Sequence, residues 1–213
     1  MNFFCTTERL ILKTTTPRDL DAILDYLQRN RDFLERTEMR RDATYFSAEV
    51  QQRIISEEKE ATRQGSFLKF WICTQEAPER MIGSISFMAI AWGNFQSCII
   101  GYRLDKERQN QGYMTEAING AIRIAYSRLN LHRIEANILP GNRASLRVAE
   151  KTGFRPSGMD QKYLLINGTW EDHVRMVHIN NAWSEANHAA SHGSSSLSDP
   201  TVLDAVSEKT CII

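Results

Sequence analysis

Apolar positions along the chain fall into two repeating patterns. Leu20, Ile23, Leu24 and Leu27 recur at i, i+3, i+4 and i+7, the spacing that gathers side chains on one stripe of an α-helix. Thr16-Pro17 stands just ahead of them, an N-cap hydroxyl followed by a ring whose fixed φ and missing N–H suit a first turn. Residues 47–63 read as a second helix, with Ser47 as N-cap and Gly65 as its stop. Met114, Ala117/Ile118, Ala121/Ile122 and Ala125 mark a third, over residues 112–128. Between the second and third helices lie runs rich in β-branched and aromatic residues at 67–74, 80–90 and 97–104. Glu76-Ala77-Pro78-Glu79 and Trp92-Gly93-Asn94 separate them as turns, which predicts an antiparallel meander.

The same reading places strands at 9–13 and 133–139. Pro140-Gly141-Asn142 breaks the second of these, and a short helix follows over 143–151, ended by Gly153. Two last strands, 163–166 and 173–178, flank a turn that starts at Asn167-Gly168, a strong hairpin signal. The order β, α, α, β, β, β, α, β, α, β, β predicts an α+β fold, a mixed sheet with helices on its faces.

Composition narrows the class. With 213 residues, 42% hydrophobic and 24% charged, the chain suits one globular domain and excludes global disorder. Its longest apolar runs fall well short of the roughly 18–20 residues that a membrane helix needs. The N-terminus lacks the basic and apolar regions of a secretory signal, so a cytoplasmic location is the expectation. Residues 6–180 read as the folded domain. Residues 181–213, Ser-rich and without periodicity, read as a flexible tail. Lys+Arg and Asp+Glu are each 26, a balance that argues against a general nucleic-acid coat. Cys5, Cys73, Cys98 and Cys211 are scattered and read as free thiols, mostly buried. There is no C-x-x-C pair, and no metal site is expected.

The chemistry concentrates in residues 99–122, IIGYRLDKERQNQGYMTEAINGAI. A strand runs into a polar loop, which bends through Gly112 and opens an amphipathic helix. The first N–H groups of a helix have no internal partner and sit at its positive end, so such a bend can receive a phosphate. Glycine lets the backbone approach closely. By themselves these features fit either a phosphate cradle or an ordinary strand–loop–helix connection.

Gln109-Asn110-Gln111-Gly112-Tyr113-Met114 resembles the Q/R-x-x-G-x-G/A pyrophosphate loop of the GNAT acetyltransferase superfamily, and Thr115-Glu116-Ala117 continues it as the T-E-A often found there. Residues 131–154, LHRIEANILPGNRASLRVAEKTGF, are similar to the second half of that fold, with Asn-x-x-Ser after the strand and Gly-Phe after the helix. TERLIL, NRDFLERTE and YLLINGTWEDHV are similar to the RimJ/RimL-type branch, which acetylates ribosomal-protein N-termini. The resemblance spans about residues 6–180. Two positions depart from the wider pattern: Met114 replaces the last small residue, and Asn110 stands where this branch often has Gly.

The resemblance implies acetyl-CoA as co-substrate, held on the N–H groups of Gln109, Asn110, Gln111, Gly112, Tyr113 and Met114, with Thr115 adjoining. It implies central parallel strands splayed apart to take the pantetheine arm. Tyr102, Arg103 and Leu104 would lie on one side, and Asn137 on the other, with Asn142 beyond it. Asn142 reads as N-cap, as pantetheine contact, or both. Ser145 reads either as the acid that assists the departing thiol or as support for its helix. The carboxylate that the branch places shortly before the hairpin turn falls on Leu164 here, so Glu135 is the best remaining candidate for the base, with Asp160 or water as alternatives. Glu116 reads as a complement to the helix dipole. The acceptor implied is a protein N-terminal amine, of a ribosomal protein in particular. A small-molecule amine and a CoA-binding scaffold without turnover are the alternatives.

Overall fold

The computed structural model describes residues 3–34 and 40–184. Their strands are β1 (Phe4–Thr6), β2 (Leu10–Lys13), β3 (Leu68–Thr74), β4 (Met81–Ala91), β5 (Ser97–Leu104), β6 (Arg133–Ile138), β7 (Arg155–Ile166) and β8 (Thr169–Ile179). The helices are α1 (Leu20–Leu34), α2 (Ala48–Arg63), α3 (Tyr113–Ser127) and α4 (Arg143–Lys151). The strands form one sheet in the order β1-β2-β3-β4-β5-β6-β8-β7. Every neighbouring pair is antiparallel except β5 and β6. This is the mixed α+β sheet that the residue pattern predicts.

Local chemistry explains most boundaries. Ser47 Oγ accepts from the Val50 N–H at 3.3 Å and starts α2, as expected of an N-cap. Thr16 behaves differently. Its N–H and hydroxyl both donate to Asp19 Oδ2, at 2.8 and 2.7 Å, so a short 3-10 turn over Pro17–Asp19 precedes α1. The hairpin between β7 and β8 has φ of 49° at Asn167 and 88° at Gly168, the paired positive values of the turn expected from Asn-Gly.

The chain differs from the sequence reading at both edges of the sheet. β1 is an additional strand, three residues long and too short to show a period. β7 and β8 extend well beyond 163–166 and 173–178. β7 is mostly exposed and carries register shifts at Pro156/Gly158 and at Asp160/Leu164, so its polar alternation is broken and its length is set by pairing with β8. Residues 180–184 also pack on the domain: the Trp183 indole N–H donates to the Asn130 carbonyl at 2.8 Å, and its ring meets His132. The Ser-rich stretch and Cys211 lie outside the described residues, as does Arg36.

Two cores flank the sheet. On one face α3 buries Met114, Ala117, Ile118 and Ala121 against Leu12, Phe70, Ile85, Phe87 and Ile134. On the other, α1 and α2 bury Ile23, Tyr26, Leu27 and Ile55 against Trp71, Cys73 and Met81. β3 is buried along its whole length, as a strand covered on both faces must be. Each fully buried large side chain contributes about 1.5–3 kcal/mol by leaving water. The two cores therefore hold the centre of the sheet rigid, and the site is built there.

Candidate active site at the splayed strands

β5 and β6 pair only at Ser97–Arg133, Cys98–Ile134 and Ile99–Glu135. Beyond Ile99 and Glu135 the strands diverge, although β5 continues to Leu104 and β6 to Ile138. Main-chain groups that face this gap are left outside the ladder, where an extended amide-bearing ligand can pair with them. α3 starts beside the gap on the β5 side and α4 on the β6 side.

The turn into α3 is wound by two left-handed residues, Asn110 with φ 58° and Gly112 with φ 80°. Asn tolerates that region better than most side chains, and Gly does so without strain. Gly112 is the residue that precedes the first helical turn, and its carbonyl accepts the Glu116 N–H at 3.1 Å. The N–H groups of Tyr113, Met114 and Thr115 fall in the first turn, where a helix has no carbonyl to offer them. Met114 is buried among apolar side chains of the α3 core, so its bulk lies in packing and leaves the main chain of the turn accessible.

These elements enclose a cleft of about 400 Å³ lined by Tyr102, Arg103, Leu104, Gln109, Asn110, Gly112, Tyr113, Met114 and Thr115 from one side, and by Asn142, Ser145, Arg147 and Lys151 from the other. Phe33 and Leu34 of α1 also line it. Among the described residues that line it, Arg103, Arg147 and Lys151 are cationic and none is acidic, so this lining favours an anionic ligand. A second cavity, about 460 Å³, lies against α2 and β3 and is lined by residues such as Arg41, Arg53, Glu57 and Lys69; the splayed strands do not contribute to it.

Arg9 and Glu116 brace the turn from outside. Glu116 accepts from Thr7 Oγ1 at 2.5 Å, from the Arg9 N–H at 2.8 Å and from Arg9 Nε at 2.7 Å. Arg9 Nη1 donates to the Gln111 carbonyl at 3.1 Å, and the guanidinium lies 4.5 Å above the Tyr113 ring. Burial pushes the Glu116 carboxyl up, and the bonds from Thr7 and Arg9 outweigh it, holding the group below the ordinary carboxylate range.

At the mouth of the gap, the Tyr102 and Ser145 hydroxyl oxygens are 2.7 Å apart, and the Tyr102 hydroxyl also reaches the Ser145 carbonyl at 3.1 Å. Burial pushes the Tyr102 hydroxyl up to about 12, against the opposing effect of its bond to Ser145, so it is protonated at neutral pH. Asn142 Oδ1 accepts the Ser145 N–H at 3.1 Å and caps α4 while also lining the cleft. Arg103 passes through to the opposite face, where its Nε donates to Ser84 Oγ at 3.2 Å beneath Tyr26 and Trp71.

The side chains of three residues singled out from the sequence point to partners outside the cleft lining. Glu135 lies at the paired end of the gap and accepts from Arg133 Nε at 2.6 Å. The Asn137 side chain donates to the Tyr163 hydroxyl at 2.8 Å, away from the cleft lining. Gln111 contributes its main chain to the turn, while its side chain donates to the Glu107 carbonyl at 2.9 Å. Of the alternatives for the base, Asp160 sits 3.6 Å from Arg175; Leu164, which stands where the branch has its carboxylate, pairs with Glu171 in the hairpin. The bracing role of Arg9 had no sequence signal beyond its place in the TERLIL segment. The pairing of Tyr102 with Ser145 joins strand and helix across 43 residues, which no local pattern reveals.

Comparisons with known proteins agree with this geometry. Residues 9–155 match the family described as an acetyltransferase (GNAT) domain. A probable N-acetyltransferase of Bacillus subtilis, YjcK, is 39% identical over 162 residues, covering 76% of this chain and 89% of its own. The [ribosomal protein uS5]-alanine N-acetyltransferase of Escherichia coli is 34% identical over 169 residues, covering 79% and 87%. The crystal structure of a ribosomal-protein-S5-alanine acetyltransferase from Vibrio fischeri superposes with a TM-score of 0.80 at 31% identity, covering 86% of this chain and 99% of that one.

Proposed function

The chain belongs to the GNAT acetyltransferase family, and from that premise we propose that it transfers the acetyl group of acetyl-CoA to the α-amine at the N-terminus of a protein, a ribosomal protein being the favoured acceptor. The observation that carries this reading is the cationic cleft that joins the Gly112 turn to the gap between β5 and β6. The turn offers N–H groups to a diphosphate, Arg147 and Lys151 offer charge to the remaining phosphate, and the gap offers unpaired main chain to the pantetheine amides.

The reaction forms a C–N bond and breaks a C–S bond. The amine lone pair attacks the thioester carbonyl carbon, the thiolate leaves, and the nitrogen gives up one proton to water. A main-chain N–H of β5 facing the gap stabilises the oxygen that becomes negative on the way. Ser145, held by Tyr102, donates a hydrogen bond to the sulfur as it gains charge. Complete proton transfer is not needed. A thiol titrates at about 8.5, so its thiolate leaves readily with only a hydrogen bond to stabilise it. The sulfur takes its proton from solvent after departure.

The base requirement favours an α-amine. Among the described residues no acidic side chain lines the cleft, and Glu135 is engaged by Arg133. An N-terminal amine titrates near 8, so a sizeable fraction is already neutral at physiological pH, whereas a lysine or polyamine amine near 10 is almost wholly charged. The E. coli relative, named for alanine N-acetylation of uS5, supports an N-terminus beginning with alanine. The test mixes the purified protein and acetyl-CoA with peptides beginning Ala, Ser or Met, and separately with spermidine, and follows thiol release. Turnover on Ala or Ser peptides is expected. Turnover on spermidine alone would move the acceptor to small amines, and CoA binding without any turnover would leave a scaffold.

A further inference from the structure

We propose that Arg9, anchored by Glu116, is the positioning residue of the diphosphate-binding turn, and that it acts by fixing which way the peptide between Gln111 and Gly112 faces. The proposal rests on the reading of the cleft as a CoA site.

A trans peptide is planar, so its C=O and N–H point in opposite directions. Arg9 Nη1 binds the Gln111 carbonyl at 3.1 Å. The Gly112 N–H in the same plane is thereby aimed away from the Arg9 nitrogen that holds the carbonyl, and Gly112 is one of the residues that line the cleft. Rotation of this plane is a real alternative, because glycine populates positive and negative φ about equally. The observed turn has φ 80° at Gly112, and a flip of the preceding peptide would present a carbonyl oxygen where a diphosphate needs a donor. Some group must therefore choose the orientation before ligand arrives. Arg9 is the side chain that holds that carbonyl.

The guanidinium is itself held. Glu116 takes its Nε at 2.7 Å and its Nη2 at 2.7 Å, and also accepts the Arg9 N–H and the Thr7 hydroxyl. A planar fork is needed for this: Nε and Nη2 face the carboxylate while Nη1 remains for the carbonyl, a division a lysine ammonium cannot reproduce. The Tyr113 ring beneath the guanidinium restricts it further. Thr7 to Arg9 enter the sheet at β2, and Glu116 lies in the first turn of α3. The latch thus ties the turn to the edge of the rigid sheet.

The test measures Kd for CoA and for pantetheine, which shares the arm but lacks the diphosphate, in the unaltered protein and in Arg9→Lys and Glu116→Ala, with Tm recorded for each. Arg9→Lys keeps the charge and loses the fork. Glu116→Ala removes a negative charge from the neighbourhood of the phosphates, so simple electrostatics would tighten CoA. The latch predicts the reverse: both variants lose CoA affinity by about tenfold, the equivalent of about 1.4 kcal/mol for donors no longer aimed, while pantetheine affinity is held. Equal loss of both ligands, or tighter CoA binding by Glu116→Ala, would overturn the proposal. If Glu116→Ala fails to fold, Arg9→Lys alone decides it. Absence of CoA binding by the unaltered protein would instead overturn the reading of the cleft, and the proposal with it.

Discussion

The hydroxyl of Tyr102 on β5 lies 2.7 Å from the hydroxyl of Ser145 on α4, so the two elements that border the gap are joined at its mouth by the pair of groups nearest the proposed sulfur site. Ser145→Ala should lower kcat by roughly 10- to 100-fold, near the lower end of general-acid effects, with little change in the KM for acetyl-CoA. Tyr102→Phe should act in the same direction but less, because Ser145 keeps its own hydroxyl. The double variant should fall well short of the product of the two, as groups acting as a unit do. Steady-state kinetics on all three variants decides this, and an unchanged kcat in Ser145→Ala would remove Ser145 from the chemistry.

Glu116 should make stability depend on pH in a defined direction. Its carboxyl is held below the ordinary value of 4.5 in the folded chain, so the unfolded chain binds its proton first as pH falls. The stability from this group is fully present above 4.5 and is lost as pH drops through the lower folded value. Urea denaturation of the native protein and of Glu116→Gln at pH 7 and pH 3 should show the native advantage shrinking in acid. An advantage that grew in acid would contradict the placement of Arg9 and Thr7 around that carboxylate.

The sequence made the strand and helix frame legible because each central element carries a strong local signal. α4 (Arg143–Lys151) and β5 (Ser97–Leu104) have the boundaries expected from Asn142, Gly153 and the flanking turns. β1 and the outer parts of β7 escaped because edge pairing, rather than a side-chain period, defines them. The same distinction holds at the site. Gly112 and Asn142 carry local turn and capping signals, whereas Ser145 is marked only by the resemblance to the GNAT pattern. Glu135 looked usable as a base because strand alternation says which face a residue takes but not that Arg133 would already occupy it. Arg9 and Glu116 stand 107 positions apart, and only the folded sheet brings them together.

Buried thiols provide a check on both cores. Burial pushes the Cys73 thiol up to about 11 and the Cys98 thiol up as well, and both side chains are buried. Thiolate is the reactive form, so neither residue should be labelled by a neutral-pH maleimide in the native protein within the time that Cys5, only partly buried, reacts. Peptide mapping after labelling reads this directly. Prompt native labelling of Cys98 would contradict the packing of β5 against the α3 core.

The core itself should be intolerant of cavities. Phe87 is fully buried in the cluster that backs α3. Phe87→Ala should cost about 3–5 kcal/mol of unfolding free energy, measured as a shift of the urea midpoint with an unchanged slope. A cost below about 1 kcal/mol would place Phe87 at a surface, where substitutions are usually within about 0.5 kcal/mol.

The central claim is that the turn at Gly112 grips the diphosphate of CoA, and titration calorimetry of CoA into the native protein and Gly112→Ala tests it most directly. A methyl group at 112 has space, its nearest neighbour being Arg9 Nη2 at 3.5 Å, so the substitution acts on the left-handed backbone, which alanine resists by about 1–2 kcal/mol. Saturable binding at one CoA per chain, weakened about tenfold or more in a Gly112→Ala protein that remains folded, is the predicted result. No heat from the native protein at saturating CoA, or identical isotherms for the two proteins, would contradict it.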